Sequence, residues 1–386
     1  MSRLVYLDNN ATTCVAPEVR DAMLPFLTDL WGNPSSMHAF GGRVMRHVEE
    51  AREKVAALIH ADPSEIIFTS CGTESNNAAI YGVAEILGPQ ARLITSRVEH
   101  PAVLGPCRHF REHGHTLIEL PVDGVGQVDL AALREALFGG QCLVSLMWAN
   151  NETGTIFPID EIAALVKSVG GVIHTDAVQA VGKVPLDVRR TPVDLLSLSG
   201  HKLHAPKGIG ALYVRRGTRL KTYMIGGHQE HGRRGGTENV PAIVGLGQAA
   251  ELAAASLAGE AARVAPLRDR LESGLLATCP DARVNGDPRH RLPNTLNISF
   301  EFIEGEAILY HLSDLGICAS SGSACSSGSL EPSHVIRAMG VPFTAVHGSI
   351  RFSLSRYTTA ADIDTVLEHV PRVVAKLRAL SPFVTT

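Results

Sequence analysis

The run Ser197-Leu198-Ser199-Gly200-His201-Lys202 ends an apolar stretch in a lysine flanked by hydrogen-bonding side chains. Most lysines after a strand are solvated surface charges. Here Gly200 permits a tight turn, Ser199 and His201 supply polar groups, and Gly208 and Gly210 follow closely. α/β folds collect ligands at strand ends, and a lysine held there can form a Schiff base with an aldehyde cofactor. One strand earlier, Val172-Ile173-His174-Thr175-Asp176 ends in a carboxylate. A helix N-cap is the ordinary reading of such an aspartate. Beside Lys202 it gains another role, because a pyridine cofactor needs a carboxylate against its ring nitrogen to act as an electron sink.

Ser70-Cys71-Gly72-Thr73-Glu74-Ser75 joins a short strand, Ile66-Ile67-Phe68, to a helix opening at Thr73. Backbone N–H groups at a helix start suit a phosphate. The segment lacks the Gly-Lys-Ser/Thr of a nucleotide-binding loop, and no GxGxxG follows the first strand. Cys325 stands among small polar residues in Ser320-Ser321-Gly322-Ser323-Ala324-Cys325-Ser326-Ser327-Gly328. That composition predicts a loop rather than a core position, and so an exposed thiol available for chemistry. Cys318 and Cys142 read as inert apolar positions. Arg351, in the strand Ser349-Ile350-Arg351-Phe352-Ser353, is costly there unless it meets a carboxylate such as that of an amino-acid substrate. The glycines of Gly226 to Asn239 imply a close backbone approach. His109 and His113, spaced i, i+4, read as a solvated helix end and not a metal site.

Elements that position these groups alternate between helical and strand patterns, predicting an α/β fold on a mainly parallel sheet. A helix is expected over 41–60, with Val44, Val48, Ala51, Val55 and Leu58 on one stripe. Strands are expected at 93–94, 116–120, 142–149, 172–174, 195–198, 211–214, 295–300 and 350–354. An alanine-rich helix from Pro241 to about Leu276 connects two domains. A last helix opens on the box Thr359-Ala360-Ala361-Asp362 and should kink or split at Pro371. The 386 residues suit a large domain over 15–255 and a small one made of 1–14 and 256–386. With 45% hydrophobic and 19% charged residues the composition is that of a soluble globular protein, and a net charge of −4 gives no reason to expect nucleic acid or an anionic membrane as partner. No bilayer-length apolar run and no secretory signal is expected, and seven cysteines without a CxxC pair suit a reducing cytoplasm.

Taken together, Tyr6-Leu7-Asp8-Asn9-Asn10-Ala11-Thr12-Thr13, Ala149-Asn150-Asn151-Glu152-Thr153-Gly154-Thr155, the Lys202 segment and the Cys325 loop resemble the NifS/IscS-type cysteine desulfurases, most of all the NifS, nitrogen-fixation kind. The resemblance spans nearly the whole chain. It implies the aspartate-aminotransferase fold (fold type I), with a seven-stranded sheet in the large domain and a smaller α+β domain. It implies pyridoxal phosphate on Lys202, with Asp176 on the pyridine nitrogen and Gln179 and Asn151 near the ring hydroxyl. His100 stacks on the ring and handles protons. Gly72, Thr73, Ser199 and His201 hold the phosphate, and Thr237 reaches the phosphate of the other subunit of a homodimer. Asn33, Asn151 and Arg351 grip the substrate carboxylate. Cys325 takes the sulfur of L-cysteine as a persulfide, leaving alanine, and passes it to a NifU-like iron–sulfur scaffold, with which it transiently shares iron. The alternatives are a housekeeping IscS-type enzyme, or a selenocysteine lyase or aminotransferase of the same fold. From other classes come a non-catalytic cofactor-binding module and a zinc hydrolase built on the histidines.

Overall fold

The computed structural model describes residues 4–321 and 331–382, so Cys325 lies outside the described residues. In chain order the strands are β1 (Val5–Tyr6), β2 (Ile66–Thr69), β3 (Arg92–Ser96), β4 (Thr116–Leu120), β5 (Cys142–Ser145), β6 (Val172–Asp176), β7 (Leu195–Ser199), β8 (Gly210–Val214), β9 (Ala282–Asn285), β10 (Thr295–Phe300), β11 (Ile317–Cys318) and β12 (Ser349–Ser353). Seven form one sheet in the order β2-β8-β7-β6-β5-β3-β4. It is parallel from β4 to β7, while β8 runs antiparallel to both neighbours. The central strands β5 and β7 are buried along their length, which explains why they carry no charged residue and are mostly apolar. Strand order reverses where β5 lies on one side of β3 and β4 on the other, so the carboxyl ends of β3, β5, β6 and β7 open a crevice.

The apolar stripe expected over 41–60 is realised in the helix Ala39–Leu58, whose Val44, Val48, Ala51, Val55 and Leu58 are all buried. It packs against the long helix Val240–Thr278. A side chain at Gly247 would put its Cβ 2.6 Å from the Ala51 Cα, so glycine lets these two backbones approach. By length and composition this long helix could cross a membrane, contrary to the expectation of no such run. Half of its most apolar window is buried inside the fold, as in the core helix of a soluble protein.

A second sheet, β12-β10-β9, is antiparallel, and β1 pairs in parallel with β11. A separate apolar cluster collects Val5 and Leu7 with residues from Val264 onward, including Phe300, Phe352 and Val370. Val335, Ile336, Met339 and Val346 join the core of the large sheet instead. The last helix, Ala360–Leu380, starts on the expected reciprocal box between Thr359 and Asp362. It runs unbroken through Pro371, contrary to the expected split. Ile363, Val366, Val370 and Val374 bury its inner face, and that packing outweighs one missing hydrogen bond. The strand expected over 142–149 ends at Ser145, where the chain bends away so that Met147 and Ala149 line the crevice.

Candidate active site

A cavity of about 250 Å³ opens at the carboxyl ends of the parallel strands. Its walls bring together Gly72, Thr73, His100, Asn151, Asp176, Gln179, Ser199, His201, Lys202 and Arg351, ten of the residues singled out in the sequence. Asn33 and Thr237 do not line it; both are exposed on loops.

Asp176 closes β6 at the cavity wall and is buried. Asn76 donates to its Oδ2 at 2.7 Å and the Val178 N–H to its Oδ1 at 3.0 Å, so both oxygens have a fixed direction. No helix starts there, which removes the N-cap reading of this residue. Lys202 follows β7 on a short 3₁₀ turn, and its Nζ donates to the carbonyls of Asn10 (2.5 Å) and Ala11 (2.7 Å). Lysine and carboxylate therefore stand on the ends of adjacent strands, facing one cavity.

At the other end, the helix Gly72–Leu87 begins without a side-chain cap. Its first N–H groups and the positive end of its dipole are free for an anion. A Cβ at Gly72 would come within 2.8 Å of Val178 Cγ2 and 3.3 Å of Ser199 Cβ, so any larger residue would intrude on this cradle. The buried Ser199 Oγ has no partner among the described residues. An uncapped helix start, an orphaned hydroxyl and a lysine–aspartate pair fit a phosphorylated pyridine aldehyde.

His100 serves two purposes. It caps the helix Pro101–Glu112, its Nδ1 accepting from the Ala102 N–H at 3.1 Å, and it also lines the cavity. That bond leaves the ring proton on Nε2. Burial holds His100 below the usual histidine range; Asp176 opposes this, and Lys202 and His334 add to it. His201 is pushed down to about 4 by burial, then by Lys202, Lys207 and Lys183, and so accepts or donates as a neutral ring.

Arg351, almost fully buried on β12, meets a carboxylate as expected, but one from the chain itself: its Nη2 pairs with Asp8 Oδ1 at 2.7 Å. Its Nη1 donates to the Asn151 carbonyl at 3.0 Å, and its Nε has no partner among the described residues, leaving donors for an incoming carboxylate. Ser320 is bonded to Arg351 in both backbone directions, so the chain enters the segment 322–330 directly beside this arginine.

The glycine-rich loop makes its close approach to itself: a Cβ on Gly235 would lie 2.7 Å from Gly226 Cα. His113 ends the helix Pro101–Glu112 as read from sequence, and among the described residues no three His, Cys, Asp or Glu side chains form a metal cluster. Sequence reasoning missed Asn10, Asn76 and Lys183. Asn76 lies one turn into the helix from Gly72 and Lys183 one turn beyond Gln179, spacings that the sequence displays. Asn10 had no local signal beyond its place in the Tyr6–Thr13 motif.

Sheet, crevice lysine and phosphate cradle define a fold-type-I pyridoxal-phosphate enzyme. The aminotransferase class-V family model matches residues 5–366. A cysteine desulfurase of Trichormus azollae is 60% identical over 380 residues, covering 98% of this chain and 95% of the relative. Cysteine desulfurase NifS of Azotobacter vinelandii is 56% identical, covering 98% and 94%. The solved structure of a NifS-like protein superposes with a TM-score of 0.92 at 39% identity, covering 97% of this chain and all of that one. The chain belongs to the aminotransferase class-V family, on its cysteine desulfurase branch.

Proposed function

We propose that this cysteine desulfurase binds pyridoxal phosphate on Lys202, moves sulfur from L-cysteine to Cys325, and passes it on for iron–sulfur cluster assembly. The observation that carries the reading is the single cavity shared by Lys202, Asp176, the uncapped helix at Gly72 and Arg351. When bound there, the cofactor supplies an electron sink for charge developing at the substrate α-carbon. Asp176 keeps the ring nitrogen protonated, while Gln179 and Asn151 serve the ring hydroxyl. Gly72, Thr73, Ser199 and His201 hold the phosphate.

Arg351 takes the substrate carboxylate with donors that Asp8 leaves open, and Asn33 and Asn151 assist. With the cofactor bound, Lys202 would move the α-proton and His100 would handle a second proton. The Cys325 thiolate attacks the substrate sulfur. An S–S bond forms as the C–S bond breaks, the electron pair stays with the carbon fragment, and that fragment gains a proton and leaves as alanine. Ser320 supports this assignment, because its two backbone bonds to Arg351 start the Cys325 segment beside the substrate clamp. Thr237, exposed on its loop, serves the phosphate of a second subunit in a homodimer. The acceptor is a NifU-like scaffold, with which Cys325 transiently shares iron, in the cytoplasm. A role in nitrogenase maturation is favoured over a housekeeping one by the likeness to the NifS of Azotobacter vinelandii.

Brief incubation with L-cysteine, alkylation and peptide mass spectrometry tests the reading. A peptide heavier by one sulfur at Cys325 is expected; extra sulfur only at Cys318 or Cys71 overturns the assignment.

A further inference from the structure

Behind the lysine lies a second, smaller cavity of about 30 Å³, room for a single water, and Lys202 lines both chambers. The second chamber is also lined by Lys183, a cation that the chemistry above leaves unused. Its Nζ donates to Gln179 Oε1 at 2.7 Å and reaches Asn10 Oδ1 at 3.4 Å. Both partners are neutral amides. The carboxylate facing the same chamber, Glu260, is bound to Arg356 at 2.8 Å.

These amides lead straight to the reacting groups. Gln179 Nε2 donates to the Asn10 carbonyl at 2.9 Å, the same oxygen that accepts from Lys202 Nζ at 2.5 Å. Asn10 in turn donates to Thr295 Oγ1 and the Asn151 carbonyl, accepts from Asn294, and is held at its N–H by Ser353. The Tyr6–Thr13 motif thus forms a hub that connects Lys183, Gln179 and Lys202. An amide can flip, and here the Lys183 donor on Oε1 and the Asn10 carbonyl on Nε2 together select one orientation.

We propose that Lys183 is a positioning residue for the cofactor site: its ammonium helps hold the Gln179 side chain and sets a positive charge beside Lys202, which would disfavour a second positive charge on the Lys202 nitrogen when the cofactor is bound to it. The titratable and charged groups around Lys183 are His201, Lys202 and His204 from the turn after β7, Arg351 from β12, Arg356 just beyond it, and Glu260 from the long helix. Burial first, then Lys202 and Arg351, push Lys183 itself down to about 7, with Glu260 opposing, so its charge acts on the low-pH side of the titration and fades above it. The inference rests on the reading of Lys202 as the cofactor lysine.

The test uses the cofactor-loaded protein and titrates its visible absorbance with pH, with K183M and K183R compared to the parent. K183M removes the charge and should raise the titration midpoint by about 0.5–1 pH unit. K183R keeps a charge that cannot be lost and should leave the midpoint at or below the parent's. A merely structural role would move both variants in the same direction. Thermal melts of both variants confirm folding; if K183M does not fold, K183Q replaces it. An unchanged midpoint in the neutral variant, or equal shifts in both, overturns the proposal. Absence in the parent of any lysine-linked absorbance that Lys202→Ala abolishes would instead overturn the reading of Lys202, and this inference with it.

Discussion

The glycine-rich loop is anchored by an ion pair whose removal should unsettle both stability and the cofactor cradle. Glu230 and Arg52 are only 3% and 4% exposed, and they pair twice, at 2.7 and 2.9 Å. Glu230 also accepts from the Phe68 N–H at 2.9 Å, and Arg52 donates to the Ile66 carbonyl and stacks over Phe68 at 4.8 Å. Every polar group of the pair is committed, with no water-exposed edge on which to relax. Removing Arg52 leaves Glu230 as a buried charge without its ion partner, at a cost of about 3–5 kcal/mol, and removing the Glu230 charge leaves Arg52 only its 3.3 Å contact with Glu49, at the lower end of that range. At about 2–4 °C per kcal/mol for a domain of this size, Arg52→Met or Glu230→Gln should lower Tm by roughly 6–20 °C.

The double variant Arg52→Met/Glu230→Gln leaves no net buried charge, and Gln can still accept from Phe68, so it should regain most of the loss. Urea denaturation of all four proteins gives the coupling energy, with at least about 2 kcal/mol expected. Single variants costing under about 1 kcal/mol, or losses that merely add, would refute the reasoning. Function should follow stability, because Arg234 of the same loop grips Glu74 in the helix at the phosphate cradle (2.9 Å). Cofactor should dialyse from the single variants faster than from the parent.

Arg351→Lys, which loses the planar fork but keeps the charge, should raise KM for cysteine by roughly 10–100-fold, the equivalent of about 1.5–3 kcal/mol of charge-assisted bonding, in steady-state assays. Gly72→Val, whose side chain would collide with Val178 and Ser199, should abolish cofactor retention measured by absorbance while leaving the fold intact by circular dichroism. His174 and His204 are pushed down to about 3 and 4 by burial, His204 also by Arg356. The unfolded chain therefore binds protons that the folded chain refuses below about pH 6.5, so stability must fall as pH drops toward 4. His174→Gln should flatten that slope by about one proton in denaturation curves taken across this range.

The strands and helices that bear the site were legible because each local pattern agreed with its tertiary place: the run Cys142-Leu143-Val144 is apolar because β5 is buried on both faces, and the Thr359 box starts the last helix as written. Lys202, Asp176 and Gly72 could be read because strand-end chemistry is local in sequence. Asn10 and Asp8 could not, because their significance comes from meeting Lys202 and Arg351 across about two hundred and more than three hundred residues, a meeting that only the tertiary fold makes. Arg351 shows both cases. Its cost in a strand announced a carboxylate partner, but nothing local said that Asp8 would supply one. Pro371 does not split the last helix, because a missing hydrogen bond counts for less than an apolar face buried on both sides of it.

Alanine release from L-cysteine, in the presence of a thiol reductant, by the purified protein and by its Cys325→Ala variant tests the central claim most directly. Alanine from the parent, with little or none from the variant and with cofactor retained equally by both, is the result predicted. Equal rates from the two proteins would contradict the persulfide role of Cys325 and point to direct elimination or transamination at the same site.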